Sequence, residues 1–562
     1  MKRKRRKPQH RDVRHEELGA IVDRAGAAAL GAEDVAKLRA AVDTLALITA
    51  ELERKGTSLE RLRRMLFGAS TERTRDVLGE TGRAGGGDGD ALAGGARTDE
   101  AVASPTRRQG HGRNGADAYP RAARVTVAHE TLGPGDPCPA AGCHKGKVYP
   151  QAEPSVLVRV RGMAPLAATV YECARLRCNL CGELYTAAPP AGVGPEKYDE
   201  TASSMIGLLK YGTGLPFHRI AQLERSLGIP LAVATQWDVV HRAAQRLAPG
   251  YAELVRQAAQ GEVLHNDDTG IKILALMGPE AHAELAPEDG EDPMEGRTGL
   301  FTSGIVSVGG GHRIALFFTG RKHAGENLAA VLAERAADLP APIQMCDGLS
   351  RNVPVAFATI LGNCLLHARR RYVDVVDDFP EECRYVLKTL REVYRTDAAA
   401  REQGLSAKER LQLHQAESEP RMADLAQWMK AQIEEHRVEP NSGLGEAIAY
   451  MTTRWDKLTL FLRVAGAPLD NNLAERALKK VILHRKNALF YKTENGARVG
   501  DLYMSLIHTA ELCGANPFHY LVALQRHEKV VAADPARWMP WSYTEALAEL
   551  MPATGIEPDP PG

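Results

Sequence analysis

Apolar positions divide the chain into stretches of different period. From Val35 to Leu66 leucines recur every seven residues, at Leu38, Leu45, Leu52, Leu59 and Leu66, with Val35 and Val42 on the matching second seam. Such a repeat suits a helix that packs on another, as a short coiled coil or a helical hairpin. Thr49, Gly56 and Arg63 spoil the second seam, and Lys55-Gly56-Thr57-Ser58 reads as a break with Ser58 capping a new helix. Residues 200–250 are helical in pattern, interrupted at Leu227-Gly228-Ile229-Pro230, with a second helix from about Ala234 to Leu247. The period then shortens to that of strands: EVLHNDDTGIKILAL from Glu262, GLFTSGIVSVGG and HRIALFFTG. A helical stretch, ENLAAVLAERAADL, is followed by PIQMCDG, a short buried strand, and by NCLLHARRRYVDVV, a strand running into a basic helix.

Strands, helix, strand, strand, helix is the order of an α/β RNase H-like core with a mixed sheet. In that layout Asp267 on the first strand and Asp347 at the end of the fourth lie side by side. A charged helical stretch, 375–460, separates them from Leu469–Tyr491 and is expected to be a helical insertion in the core. The expected organisation is a basic arm (1–33), a leucine-repeat helical region (34–79), a Gly-rich linker (80–125), a small zinc ribbon-like domain (126–190), a helix-turn-helix-like helical region (191–259), the core (260–495) and a C-terminal helical region (496–562).

Length supports this division, since 562 residues exceed one hydrophobic core. The 71 basic and 71 acidic residues cancel, so net charge says nothing of a polyanionic partner and only local clusters can. No apolar run reaches the roughly 20 residues of a membrane span, and the basic start MKRKRRKPQHRDVRH has no apolar segment after it. The expected compartment is the cytoplasm, with association with the nucleoid. Nine cysteines are too few for a disulfide scaffold, but Cys138, Cys143, Cys178 and Cys181 form two close pairs. Two such knuckles suit a closed, structural Zn2+ site, with Cys173 and His144 as substitute ligands. The linker ends in TRRQGHGRNG, which suits a DNA minor groove or a plain linker.

Within LDNNLAERALKKVILHRKNALFY one carboxylate, Glu475, stands among Arg476, Lys479, Lys480, His484, Arg485 and Lys486. An acid kept among so many cations suits a divalent metal held against a polyanion, with the cations on its phosphates. Asp267 and Asp347 are the partner carboxylates. Two Mg2+ ions about 3.5–4 Å apart, with Mn2+ as an alternative, would activate the attacking oxygen and stabilise the leaving one. His367, Arg369, Arg370 and Arg371 are expected on one side of the phosphate path, and Arg476, Lys479, Arg485 and Lys486 on the other. Thr235, Gln236 and Arg242 are candidates to face DNA from the second helix of the helix-turn-helix-like pair. Asn471 and Asn472 are placed to cap the Glu475 helix or to orient the acid.

These motifs resemble those of bacterial insertion-sequence transposases of the insertion-sequence-66 type, a DDE family. The resemblance runs through LRRMLFGASTER, the cysteine pairs, KYGTGLPFHRIAQLERSLGI, HNDDTG, CDG, HARRRYVD, LDNNLAERALKKVILHRKNALF and DLYMSLIHTAELCGANPFHYL. It implies that Asp267, Asp347 and Glu475 are a catalytic triad that cleaves 3′ ends and joins them to target DNA. It also implies terminal inverted repeats and target DNA as partners, a homodimer or higher assembly, and small accessory proteins from the same element. Three departures stand out. Asp267-Asp268-Thr269 replaces the family's Asp-Glu-Thr and makes Asp268 a rival first ligand; about Gly278 to Thr298 is extra; and the tyrosines usual after the second Asp are absent. The competing readings are a nuclease of the same fold that does not join strands, and a non-catalytic DNA-binding protein.

Overall fold

The computed structural model describes residues 199–277 and 299–550, much of 131–198, and Gly31. The basic arm apart from Gly31, the leucine repeat and the whole linker lie outside the described residues, as do Cys178, Cys181 and the extra segment 278–298. The described residues fall into two units: Gly31 and Arg371–Glu392 belong to the first, and the described residues from Thr131 to Arg370 and from Val393 onward to the second.

In the second unit, β1 (Arg175–Arg177) and β2 (Leu184–Thr186) pair antiparallel, Arg175 opposite Thr186. The main sheet has five strands: β3 (Val263–Gly270), β4 (Phe301–Gly309), β5 (His312–Gly320), β6 (Ile343–Cys346) and β7 (Ile360–Asn363). Their order is β5-β4-β3-β6-β7, with β3, β4 and β5 antiparallel and β3, β6 and β7 parallel. Gly310 and Gly311, both at positive φ (57° and 79°), make the tight link between β4 and β5. A two-residue hairpin turn needs that conformation twice in succession, which glycine adopts without a Cβ clash. The first strand stops at Gly270, short of the Leu276 expected from its pattern. Leu274–Leu276 is a 3-10 turn, whose Leu274 and Ala275 N–H groups bond the carbonyls of Tyr491 and Lys492 instead of a ladder.

Among the described residues the α-helices α1 (Glu200–Gly207), α2 (Phe217–Ser226) and α3 (Val233–Ala259) precede the sheet. The helix pair expected from the break at Gly228 is present, and Gly228 has φ +87°. The second helix, however, runs past Leu247 and through Pro249. Its buried stripe continues as Leu247, Gly250, Leu254 and Ala258, and burying the two leucines at about 1.5–3 kcal/mol each offsets the roughly 3 kcal/mol that an internal proline costs.

After β5 come α4 (Ala324–Leu332), α5 (Leu365–Asp374), α6 (Pro380–Glu402), α7 (Ala407–Glu434), α8 (Gly443–Thr453) and α9 (Trp455–Leu458), then α10 (Asn472–Ala488) and α11 (Glu494–Leu512). The stretch between β7 and α10 is thus helical among the described residues. Asp397 near the end of α6 is buried and joined to Arg401, Arg410 and His414, which holds its carboxyl near 2 despite burial. Arg410 also donates to the carbonyl of Ala467, and Gln415 to that of Leu462, tying α7 to the lead-in of α10.

The open edge of β5 is closed by α11. The N–H groups of Ala315, Phe317 and Thr319 donate to Thr509 Oγ1, Ser505 Oγ and Asp501 Oδ2 at 3.0, 3.0 and 2.7 Å. Residues four apart on a helix advance about 6 Å and residues two apart on a strand about 6.6 Å, so the two rows stay in step. An edge satisfied this way offers no template to another strand. A five-stranded mixed sheet with helices on both faces is compatible with an RNase H-like core. No helix among the described residues is long and apolar enough to cross a membrane.

Candidate active site

The parallel register of β3 and β6 pairs His265 with Met345. Two residues further along the chain from each come Asp267 and Asp347, in equivalent places on adjacent parallel strands. On the other side of β3, Asp267 is paired with Gly304 of β4. Gly304 supplies no side chain there, and a Cβ would come within 3.0 Å of Leu478 Cδ2, so α10 lies close over this face of the sheet. Glu475 is one turn before Leu478 on the same helix and shares its side.

Adjacent strand residues point to opposite faces. Asp268 accordingly turns away from Asp267. Its side chain is 1% exposed and is engaged by His323 Nδ1 at 2.9 Å and an Arg351 guanidinium nitrogen at 3.2 Å. Of the two rival acids, Asp268 is paired with the Arg351 guanidinium and bonded to the His323 ring, whereas Asp267 accepts one hydrogen bond, from the Asp268 N–H at 2.8 Å. Burial first, and then the charges of Asp347, Asp268 and Glu475, push the Asp267 carboxyl up to about 7.

Asp347 is held by a buried amide network that no pattern in the chain foretells. Asn352 Nδ2 donates to Asp347 Oδ1 at 2.5 Å, and the Leu349 N–H donates to the same oxygen at 3.1 Å. The Asn352 carbonyl in turn accepts from Asn266 Nδ2 and Gln344 Nε2, both at 2.7 Å, and Gln344 Nε2 also reaches Asn266 Oδ1. Asn363 Nδ2 bonds the Asp347 carbonyl at 3.2 Å. Gly325 on α4 permits this packing, since a Cβ there would meet the carbonyl oxygens of Val353 and Arg351 at 2.6 and 2.7 Å.

Asn471 fixes the start of α10, though not as a cap. No side-chain cap bond forms; the fully buried amide reaches across to β3, with Nδ2 donating to the Asn266 carbonyl at 3.1 Å and Oδ1 lying 3.2 Å from His265 Nδ1. The helix that carries Glu475 is therefore pinned to the residue before Asp267. Asn472 opens the helix with its N–H on Asp470 Oδ1. Glu475 itself is partly exposed, with Oε1 3.9 Å from His367 Nδ1. Among the described residues, the group whose ligand atoms all lie within 4.8 Å of one another is Cys364, His367 and Glu475, not the three carboxylates. The acids are close enough to perturb Asp267 but are not closed on a common point. Three hard oxygen donors around a carboxyl already destabilised by its like-charged neighbours suit a hard divalent cation.

The cations separate into three groups. Arg476, Lys479 and Lys486 on α10, Arg370 and Arg371 on α5, and Arg242 on α3 are at least partly exposed. Lys480 pairs with Glu511 at 3.1 Å, and Arg485 is drawn to Thr269 Oγ1 and the Gly270 carbonyl at the end of β3. Three residues expected to face nucleic acid do not. Arg369 is buried. Gln236 is fully buried because its amide serves the Phe217 and Leu231 carbonyls, holding the turn between α2 and α3. His484 is 1% exposed, between the rings of Tyr211 and Tyr491 with Lys210 Nζ 3.0 Å away; burial and that cation drive it down to about 3, so it stays neutral.

Of the expected zinc ligands, Cys138 and Cys143 share one turn. The Cys138 N–H bonds the Gly146 carbonyl, the Cys143 N–H bonds that of Ala140, and a Cβ on Gly146 would lie 2.5 Å from Cys143 Sγ and 3.5 Å from Cys138 Cβ. Cys178 and Cys181 fall in the connection between β1 and β2, outside the described residues.

The family model described as Transposase IS66 family matches residues 197–499. Curated relatives come from Sinorhizobium fredii (strain NBRC 101917 / NGR234). Uncharacterized protein y4hP is 27% identical over 361 residues, covering 60% of this chain and 61% of its own length. Uncharacterized protein y4jD is 31% identical over 204 residues, 35% of this chain and 38% of its own. The chain thus spans under two thirds of the length of these relatives.

Proposed function

The chain belongs to the IS66 family of transposases, and on that premise we propose that it is a DDE transposase that cuts the 3′ ends of an insertion sequence and joins them to target DNA. The observation that carries the reading is the register of β3 and β6, which sets Asp267 beside Asp347, with Glu475 on the helix above them.

Asp267, Asp347 and Glu475 would hold Mg2+, with Mn2+ as a substitute. The chemistry such a cation would supply is charge neutralisation at the attacked phosphodiester and a more acidic attacking water. The chain's own residues do the positioning. Asn352 and the Leu349 N–H fix one oxygen of Asp347 and leave the other for the ligand. Asn471 sets the distance from Glu475 to the end of β3. Arg476, Lys479, Arg485, Lys486 and Arg370 grip backbone phosphates along the path, and Arg242 adds a contact from the helix pair. Asp268 takes no ligand role in this scheme; it braces the strand from behind. The cysteine pairs close a structural Zn2+ site, and that domain together with the helix pair recognises the terminal repeats. The leucine repeat joins two subunits across two ends, and accessory proteins from the same element assist them.

The test uses purified protein, Mg2+ and a duplex carrying the DNA that flanks the gene. Free 3′-OH ends and joined products are mapped for wild type and Glu475→Gln. Joined strands that disappear in the variant support the transposase and its acid together. Cleavage that survives Glu475→Gln sinks that residue's role, and cuts without joining make the protein a nuclease.

A further inference from the structure

The tightest cluster of metal-ligating groups among the described residues is not the hard acidic set. It is Cys364, His367 and Glu475, whose ligand atoms lie within 4.8 Å of one another. Cys364 sits immediately before the first residue of α5 and His367 one turn into it. The Cys364 sulfur is where two helix starts meet: the Asn471 N–H, at the head of α10, points to Sγ at 3.3 Å, and the His367 N–H on α5 donates to the Cys364 carbonyl at 3.2 Å. Backbone donors at helix N-termini favour a thiolate over a thiol. His367 Nδ1 is buried, has no hydrogen-bond partner and faces Glu475 Oε1 at 3.9 Å. That nitrogen, the Glu475 carboxylate and the Cys364 sulfur face one another within reach of a single ion.

We infer that Cys364, His367 and Glu475 form a second metal site, for a borderline-soft divalent cation of the Zn2+ class, which draws Glu475 away from Asp267 and Asp347. Sulfur and imidazole select Zn2+ over Mg2+, while the carboxylate pair selects the hard ion. Glu475 is the one ligand common to both sets, so the sites compete for it. Binding releases the thiol proton to solvent and leaves a coordination position for water. The site itself rests on the cluster alone; its regulatory consequence, Zn2+ inhibition of the Mg2+-dependent reaction, rests on the transposase reading.

The experiment adds Zn2+ to the full-length protein as purified, so that any ribbon zinc is already in place, and follows uptake by calorimetry without DNA. Wild type takes up one further equivalent, and Cys364→Ser and His367→Gln each weaken that uptake by about tenfold or more. Co2+ in the same site gives a near-ultraviolet thiolate charge-transfer band that Cys364→Ser lacks. The hydroxyl introduced by Cys364→Ser can still accept the Asn471 N–H, and His367 is partly exposed with an unbonded nitrogen, so the two substitutions test the site from independently tolerated positions. Equal uptake by wild type and both variants, with an unchanged cobalt spectrum, overturns the proposal. Where cleavage is measurable, the Zn2+ concentration that halves it rises about tenfold or more in Cys364→Ser; equal sensitivity overturns the competition for Glu475. An absence of cleavage in every protein counts against the transposase reading and leaves the uptake result to decide the site.

Discussion

Replacing Asp267 by Asn should abolish activity yet make the metal-free protein more stable at alkaline pH. The Asp267 carboxyl is raised from 3.8 to about 7 by burial and by three neighbouring carboxylates. The folded state therefore holds its proton more tightly than the unfolded chain. The contribution of this group is fully favourable below pH about 4, is lost as pH rises to about 7, and stays lost above that. Three units at 1.36 kcal/mol each set an upper limit of about 4 kcal/mol, which solvent access and relaxation reduce. Asn is neutral throughout and still offers an oxygen to the Asp268 N–H, so the variant keeps the bond and loses the penalty. Thermal melts in chelator at pH 8 should place Asp267→Asn several degrees above wild type, and at pH 5 the gap should shrink to less than half. Saturating Mg2+ should reverse the order, raising the wild-type melting temperature and leaving the variant where it was. A variant less stable than wild type at pH 8 in chelator, or a gap that does not change with pH, would refute the account of Asp267 as an acid strained by its neighbours.

The other expectations separate positioning from ligation. Asp268→Asn breaks the pairs with His323 and Arg351 at a side chain that is 1% exposed; it should lower stability by about 1–3 kcal/mol while the Mg2+-induced rise in melting temperature survives. Asn352→Ala frees Asp347 Oδ1 from its 2.5 Å donor and should reduce kcat about tenfold to a hundredfold, with DNA affinity in gel shifts unchanged. Ser505→Ala leaves the Phe317 N–H on the edge of β5 without its acceptor, at a cost of about 1–3 kcal/mol, read as a lower melting temperature and faster aggregation on heating.

What could be read from sequence was whatever has a short period. Alternation placed β4 and β5, and an acid at the end of a buried run marked Asp347. The basic stretch around Glu475 reads as a helix from its own residues. What could not be read depends on partners far along the chain. Asp267 and Asp268 are equal as letters; they differ because α10 covers the face of β3 that Asp267 occupies, while His323 and Arg351 come to the other face. His484 looks like one more cation on a basic helix, yet its surroundings include Lys210, 274 positions away, and burial makes it neutral. Gln236 and Asn471 look like surface amides, and both prove to be buried because backbone carbonyls from other elements need their donors. The same reason explains why the network of Asn266, Gln344 and Asn352 went unseen: an amide carries no charge and no periodicity to betray it. Charge in this chain was legible as a cluster but not as a direction. The acid among cations singles out Glu475 in the sequence, while the cations that surround it divide between solvent, Glu511 and the end of β3. Direction came only from the fold, whose sheet register turns two distant aspartates into neighbours and whose helix packing brings Glu475 close to Cys364 and His367.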